Sequence, residues 1–302
     1  MKKLISFLVL AMALGCGSTD NGNGGQGFSP DPPLEIGGVR PALVDIPEDY
    51  DPTVSHPLVV VLHGLGPFTG EIQARLLALL DVVEEKDLVM LLPNGTLNED
   101  GNRFWNGASF CCGTDKEAID DVGYLSGLIE EAKQTYNIDE KRVYLIGHSN
   151  GGFMSFRMAC ETSELITAIV SLAGSTFANA TDCQPATLPV SVLAVHGTAD
   201  TSIQYDGVPD SYPSAVDTVE QFASAAGCDT ESPADLGNID LVTSLDGDET
   251  GRVAYTTGCQ GGVDAALWTI QEGVHIPTFH QPGGDGPAFG NVVTDWLLEH
   301  TR

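Results

Sequence analysis

A serine between two glycines is the first group in this chain equipped for chemistry. Gly147-His148-Ser149-Asn150-Gly151 follows the apolar run Val143-Tyr144-Leu145-Ile146 and precedes a helix-forming stretch. Two glycines permit a tight strand-to-helix turn that holds a serine hydroxyl clear of the backbone at a helix N-terminus. A serine hydroxyl is a poor nucleophile until a base takes its proton, and that base needs an acid to hold it in one tautomer. The pattern points to acyl transfer through Ser149, with an acid and then a histidine expected downstream.

The acid belongs where a buried strand runs into a polar turn. Val192-Leu193-Ala194-Val195-His196-Gly197-Thr198-Ala199-Asp200 has that form and makes Asp200 the candidate, ahead of Asp206 and Asp210. Three histidines follow it. His275 lies in Gly273-Val274-His275-Ile276-Pro277, between the final strand and the final helix, as the mechanism requires. His280 shares that loop and is the alternative, while His300 is expected to be solvated near the C-terminus. His148, beside the nucleophile, is expected to point away and pack. A tetrahedral intermediate also needs donors for its oxyanion. The amide of Asn150 is one candidate. Leu62-His63-Gly64-Leu65-Gly66 offers the second through Leu65, with Gly66 next.

These residues need a scaffold that brings distant turns to one rim. Leu58–Leu62, Leu88–Leu92, Val143–Ile146, Ile166–Leu172 and Val190–Val195 are near-continuous apolar runs, which suit a parallel sheet covered on both faces. Segments with helical periodicity lie between and after them, at 71–84, 117–136, 151–160 and 214–226. The alternation predicts a doubly wound, mostly parallel α/β sheet. Val39–Ile46 reads as an antiparallel edge strand, Ala265–Ile270 as the last strand and Asn291–His300 as the closing helix. Turn formers between Leu172 and Val190 leave no room for a cap domain, so the site should open at the carboxyl ends of the strands.

The N-terminus reads differently. Lys2 and Lys3 precede an apolar stretch from Leu4 to Leu14 that is too short to span a bilayer, and 1–15 read as a cleavable export signal. Cys16 follows a small residue, as in a bacterial lipoprotein box, and is the expected lipid attachment and first mature residue. Residues 16–33, polar and rich in Gly, Asn and Pro, read as a flexible linker to a catalytic domain at 34–302. The formal charge of −29 argues against nucleic acid or an anionic membrane surface as partner, leaving an N-terminal lipid as the route to a membrane. A monomer in the cell envelope or outside the cell is the expectation. Six further cysteines, an even number in an exported chain, read as disulfides. Cys228 and Cys259 flank a turn-rich excursion and should pair. Cys111 and Cys112 are then left to meet Cys160 and Cys183 in an undetermined pairing. No C-x-x-C pair, phosphate loop or cluster of metal-ligand residues calls for a metal or other cofactor.

Taken together, these segments resemble the esterase family of bacterial polyhydroxybutyrate depolymerases and feruloyl esterases, in particular its short lipoprotein-like members. The resemblance runs from Pro57–Gly64 through Leu92-Pro93-Asn94-Gly95, Trp105, Cys111-Cys112-Gly113 and Asp120-Asp121-Val122-Gly123. It continues through Ser149-Asn150-Gly151-Gly152, His196–Asp200 and Gly273-Val274-His275. It implies the α/β-hydrolase fold and ester hydrolysis, with a triad on Ser149, Asp200 and His275 and structural roles for Asp120 and Asp121. It also implies that Trp105 lies near the substrate pocket, where its face could hold a substrate chain or phenolic ring, with core packing as the equal alternative. Ile276 stands where many relatives carry Trp, which alters a pocket wall. A polyester such as a polyhydroxyalkanoate is the expected substrate, with feruloyl esters of polysaccharide as the alternative. An exopeptidase of related fold and a catalytically inactive binding lipoprotein are the remaining readings.

Overall fold

A computed structural model describes residues 27–108, 119–183 and 188–302. The expected signal at 1–15, Cys16, most of the linker, Cys111 and Cys112 lie outside the described residues. The linker ends before the expected boundary at 34. Pro32 is buried, and the Tyr136 hydroxyl donates to the Pro33 carbonyl.

Alternation of apolar side chains across pleated strands builds two cores, one on each face of a central sheet. A short hairpin of β1 (Glu35–Ile36) and β2 (Ala42–Asp45) leads into β3 (His56–Leu62). Two short helices, α1 (Gly70–Leu76) and α2 (Leu80–Glu85), precede β4 (Val89–Leu92). A separate ribbon of β5 (Thr96–Leu97) and β6 (Arg103–Phe104) follows. Next come α3 (Asp121–Thr135), β7 (Ile138–His148), α4 (Asn150–Glu161), β8 (Ala168–Leu172) and β9 (Ser191–Gly197). The last third adds α5 (Ala215–Ala225), β10 (Ala234–Ile239), β11 (Thr250–Tyr255), β12 (Ala265–Ile270) and α6 (Phe289–Leu298).

The ten-stranded sheet has the order β1-β2-β4-β3-β7-β8-β9-β12-β11-β10. Strands β4, β3, β7, β8, β9 and β12 run parallel, and antiparallel strands flank them on both sides. In β3, Leu58, Val60 and Leu62 join the core beneath α3, α4 and α5, whereas Val59 and Val61 join the core with α1, α2 and α6. Because both faces are covered, the strands read as unbroken apolar runs. Among the described residues, the segment between β8 and β9 carries only a three-residue 3-10 turn at Ala180–Asp182, so no cap lies there.

Three expectations change. The single helix expected at 71–84 is two, broken at Ala78, whose φ is +54°. The break lets α6 approach closely: a Cβ on Gly290 would stand 2.0 Å from the Ala78 carbonyl oxygen. Strand β2, expected at an edge, is interior to β1. Strand β12 is the last in the chain, as expected, with β11 and β10 pairing beyond it in the sheet. Among the described residues the disulfides are Cys160–Cys183 and Cys228–Cys259. The second was expected. The first replaces the expected pairing of Cys160 and Cys183 with Cys111 and Cys112, because Cys160 at the end of α4 meets the turn that leads out of β8.

Candidate active site

Ser149 sits at the junction of β7 and α4 with φ +54° and ψ −118°, a backbone conformation that non-glycine residues rarely adopt. The flanking glycines make the turn possible. A Cβ at Gly147 would stand 2.1 Å from the Gly151 carbonyl oxygen, and one at Gly151 would stand 2.2 Å from that of Leu62. The Ser149 amide donates to the Leu172 carbonyl at 2.8 Å, which ties the elbow to β8.

The loops after β9 and β12 are laced together. The Ala199 amide donates to Gly273 O at 2.9 Å and the Thr198 amide to Ile270 O at 3.0 Å. Gly197 permits the approach, since its Cβ would lie 2.1 Å from Gly273 O. This lacing brings Asp200 to His275. The Nδ1–Oδ2 distance is 2.7 Å, and His275 Nε2 lies 2.9 Å from Ser149 Oγ. An ionised carboxylate only accepts, so Nδ1 carries the proton and bare Nε2 accepts from the serine hydroxyl. The structure therefore joins Ser149, His275 and Asp200, and neither Asp206 nor Asp210 takes the acid's place.

Asp200 is buried, and its ionised form is well supported. Burial pushes its carboxyl up, but hydrogen bonds from His196, His275 and the Ile203 amide outweigh that and hold it well below the usual carboxylate range. Its Oδ1 accepts from the amides of Ser202 at 2.8 Å and Ile203 at 2.9 Å. His196 contributes a second imidazole, with Nε2 2.8 Å from Ile203 O and 3.4 Å from Asp200 Oδ2.

The loop after β3 is shaped by another buried histidine. His63 Nε2 accepts from the Gly95 amide at 2.9 Å, so its proton is on Nδ1, which donates to Gly64 O at 2.8 Å. Burial lowers its pKa to about 4 and keeps it neutral. Of the two oxyanion candidates in this loop, Gly66 is committed: its amide donates to Arg103 O at 3.1 Å. Leu65 makes no such bond among the described residues. The side chain of Asn150 is clamped to the backbone of Trp105, accepting from its amide at 2.6 Å and donating to its carbonyl at 2.9 Å.

Of the two roles open to Trp105, the clamp favours packing. Its side chain is fully buried, its indole N–H donates to His63 O at 3.0 Å, and Arg40 lies 5.3 Å from the ring. The ring is packed rather than open, and Trp105 braces the loop after β3 through His63 O. Asp120 caps α3 by accepting from the Gly123 amide at 2.7 Å. Asp121 is buried against Arg40 at 2.6 Å and accepts from the Asn106 amide at 2.7 Å, so both act within the framework.

His148 does more than pack. Its ring lies 5.1 Å from that of His275, and its Nε2 is 3.1 Å from the His275 carbonyl oxygen. A carbonyl only accepts, so Nε2 donates, leaving Nδ1 turned toward Gly64 of the oxyanion loop. Burial, reinforced by His275, lowers its pKa to about 4. Like His63 and His196, it stands beside a glycine at the carboxyl end of a strand. That recurring His/Gly pairing was the available signal for these supporting imidazoles. His280 is occupied by Asp240 at 3.0 Å, and His300 is not solvated: it is half-clamped between Asp264 at 2.5 Å and Trp296 O at 2.8 Å.

The model of the phospholipase/carboxylesterase family matches residues 111–220, less than half of the chain. A putative esterase of Nocardia uniformis subsp. tsuyamanensis is 26% identical over 187 residues, covering 57% of this chain and 52% of its own length. Feruloyl esterase D of Neurospora crassa is 29% identical over 168 residues, covering 56% and 51%. This chain thus spans about half the length of those curated relatives. Among solved structures, acetyl xylan esterase from Aspergillus awamori superposes with a TM-score of 0.65 at 14% identity, covering 87% of this chain and 98% of that one. The sheet order, the elbow and the superposition give the chain a fold of the α/β-hydrolase type, similar to that of esterases.

Proposed function

We propose that this protein hydrolyses carboxylic esters through an acyl-enzyme on Ser149. The observation that carries the proposal is the continuous hydrogen-bonded relay from Ser149 Oγ through His275 to Asp200, mounted on a strained elbow. Ser149 Oγ attacks the carbonyl carbon while His275 Nε2 takes its proton, and Asp200 stabilises the imidazolium that forms. The amides of Leu65 and Asn150 receive the oxyanion. When the intermediate collapses, His275 gives its proton to the departing alcohol. Water then repeats the sequence, releasing the acid and restoring Ser149.

The uncapped rim suits a bulky or polymeric ester, and a polyester such as a polyhydroxyalkanoate is the leading substrate class. The names of the relatives favour a second reading, feruloyl esters. Release of hydroxybutyrate from oligomers against release of ferulate from methyl ferulate separates the two. The two disulfides support an oxidising compartment, hence export. A lipid on Cys16 would appear in the intact mass of the mature protein. The decisive test of the chemistry is Ser149→Ala. It should lose at least about 10⁴-fold in kcat on p-nitrophenyl butyrate and all labelling by a fluorophosphonate. Retained turnover would refute the proposal, and an unlabelled, inactive wild-type chain would favour the inactive binding protein.

A further inference from the structure

Beside the reacting groups lies a groove of about 490 Å³, a volume typical of small-molecule sites. Phe68, Leu76, Leu172, Ile276, Pro277 and Phe279 line it, together with His148. Its position relative to the chemistry follows from these neighbours. His148 directly precedes Ser149, and the Leu172 carbonyl accepts the Ser149 amide. Ile276 and Pro277 directly follow His275. The groove is therefore placed on the His275 side of the nucleophile, its walls adjoining the reacting residues without including them.

That side has a chemical meaning. His275 Nε2 must hand its proton to the leaving oxygen, so the departing alcohol lies against His275 while the acyl chain points away from it. From this we infer that the groove is the alcohol subsite, and that it takes an apolar alcohol portion of the ester, aliphatic or aryl, in preference to a sugar. The inference rests on the ester-hydrolase reading above and adds to it the identity of the leaving group.

The chemistry of the walls makes the choice. Side chains that elsewhere would be buried are left partly open beside the reacting groups: Leu76 is 48% exposed and Ile276 54%, with Leu65 at 40% and Val274 at 53% nearby. A grouping of this kind marks a surface that an apolar partner covers. Gln73, Arg75, Thr278 and Gln281 supply the polar part of the walls, and the first two are partly engaged. Gln73 Oε1 accepts the Gly64 amide at 3.3 Å, and Arg75 pairs with Glu71 at 2.8 Å. The His148 imidazole stays neutral, with its N–H spent on the His275 carbonyl. Most of the lining is apolar, so a sugar's hydroxyls would be stripped of water there without a partner for each, which is costly. Methylenes would be buried at a gain.

The test compares two ester series on wild-type protein, with active sites counted by fluorophosphonate titration. One series keeps acetate and lengthens the alcohol from methanol to hexanol. The other keeps methanol and lengthens the acid from acetic to hexanoic. The alcohol series should gain about threefold in kcat/KM per methylene over the first few carbons. Ile276→Trp and Leu76→Arg, which fill or charge the groove at exposed positions, should each flatten that gain. A flat alcohol series in the wild type, or a slope that survives both substitutions, would overturn the subsite while leaving ester hydrolysis standing. Absence of both labelling and turnover would remove the hydrolase reading, and the subsite with it.

Discussion

His148 shows how a residue outside the relay can decide the rate. Its N–H holds the His275 carbonyl, and its ring lies 5.1 Å from the His275 ring with Nδ1 turned toward Gly64. His148→Leu keeps bulk but deletes the donor, so the His275 loop loses a fixed point. A displacement of about 1 Å at the base costs on the order of 10²-fold, and the loss should appear in kcat with KM little changed. His148→Gln, which places an amide N–H near the same spot, should recover most of it. Equal losses in both variants, or a loss confined to KM, would contradict a positioning role. Ser149, Asp200 and His275 could be read from the chain because each sits in a strand-turn context with a fixed order. His148 and Trp105 could not. Which way a side chain turns at a strand end depends on what packs above it, and that is set by segments far away in sequence.

At the scale of elements, the break between α1 and α2 sets two effects against each other. Gly290 lies inside α6, where replacing glycine by alanine normally gains up to about 1 kcal/mol. Here the new Cβ would stand 2.0 Å from the Ala78 carbonyl, a backbone atom with little room to yield. Overpacking of this kind costs about 1–3 kcal/mol. Gly290→Ala should therefore lower the urea unfolding free energy, and an increase would show that the contact relaxes freely. The apolar periodicity of 71–84 suggested one helix because the element that packs into the interruption, α6, lies two hundred residues on. The central strands were visible as apolar runs because both of their faces are buried. Strands β10 and β11 were not, since β10 exposes nearly every residue and β11 is only partly covered. Pairing at a margin asks little of composition.

For the whole molecule, pH should act on stability through buried imidazoles. His63 and His148 have folded values of about 4 against an ordinary 6.5. The unfolded chain therefore takes up protons first, and stability falls as pH drops from about 6.5 toward 4. His300 works in the opposite sense. Burial lowers its pKa, but Asp264 outweighs that and raises it, so its contribution is complete below 6.5 and fades above. Urea midpoints should decline from pH 7 to 4.5, and His300→Gln should steepen the decline. Midpoints that hold level over that range would mean the two imidazoles are not buried as neutral groups. The margins of the sheet carry a separate consequence. On one side β1 is two residues long, and on the other β10 is interrupted by a bulge between Asp235 and Asn238, with Gly237 at φ +72°. Neither end presents a straight row of free amides to a neighbour, and a surface of formal charge −29 pushes copies apart. Growth of a ribbon by strand addition is therefore disfavoured at both margins of the described sheet.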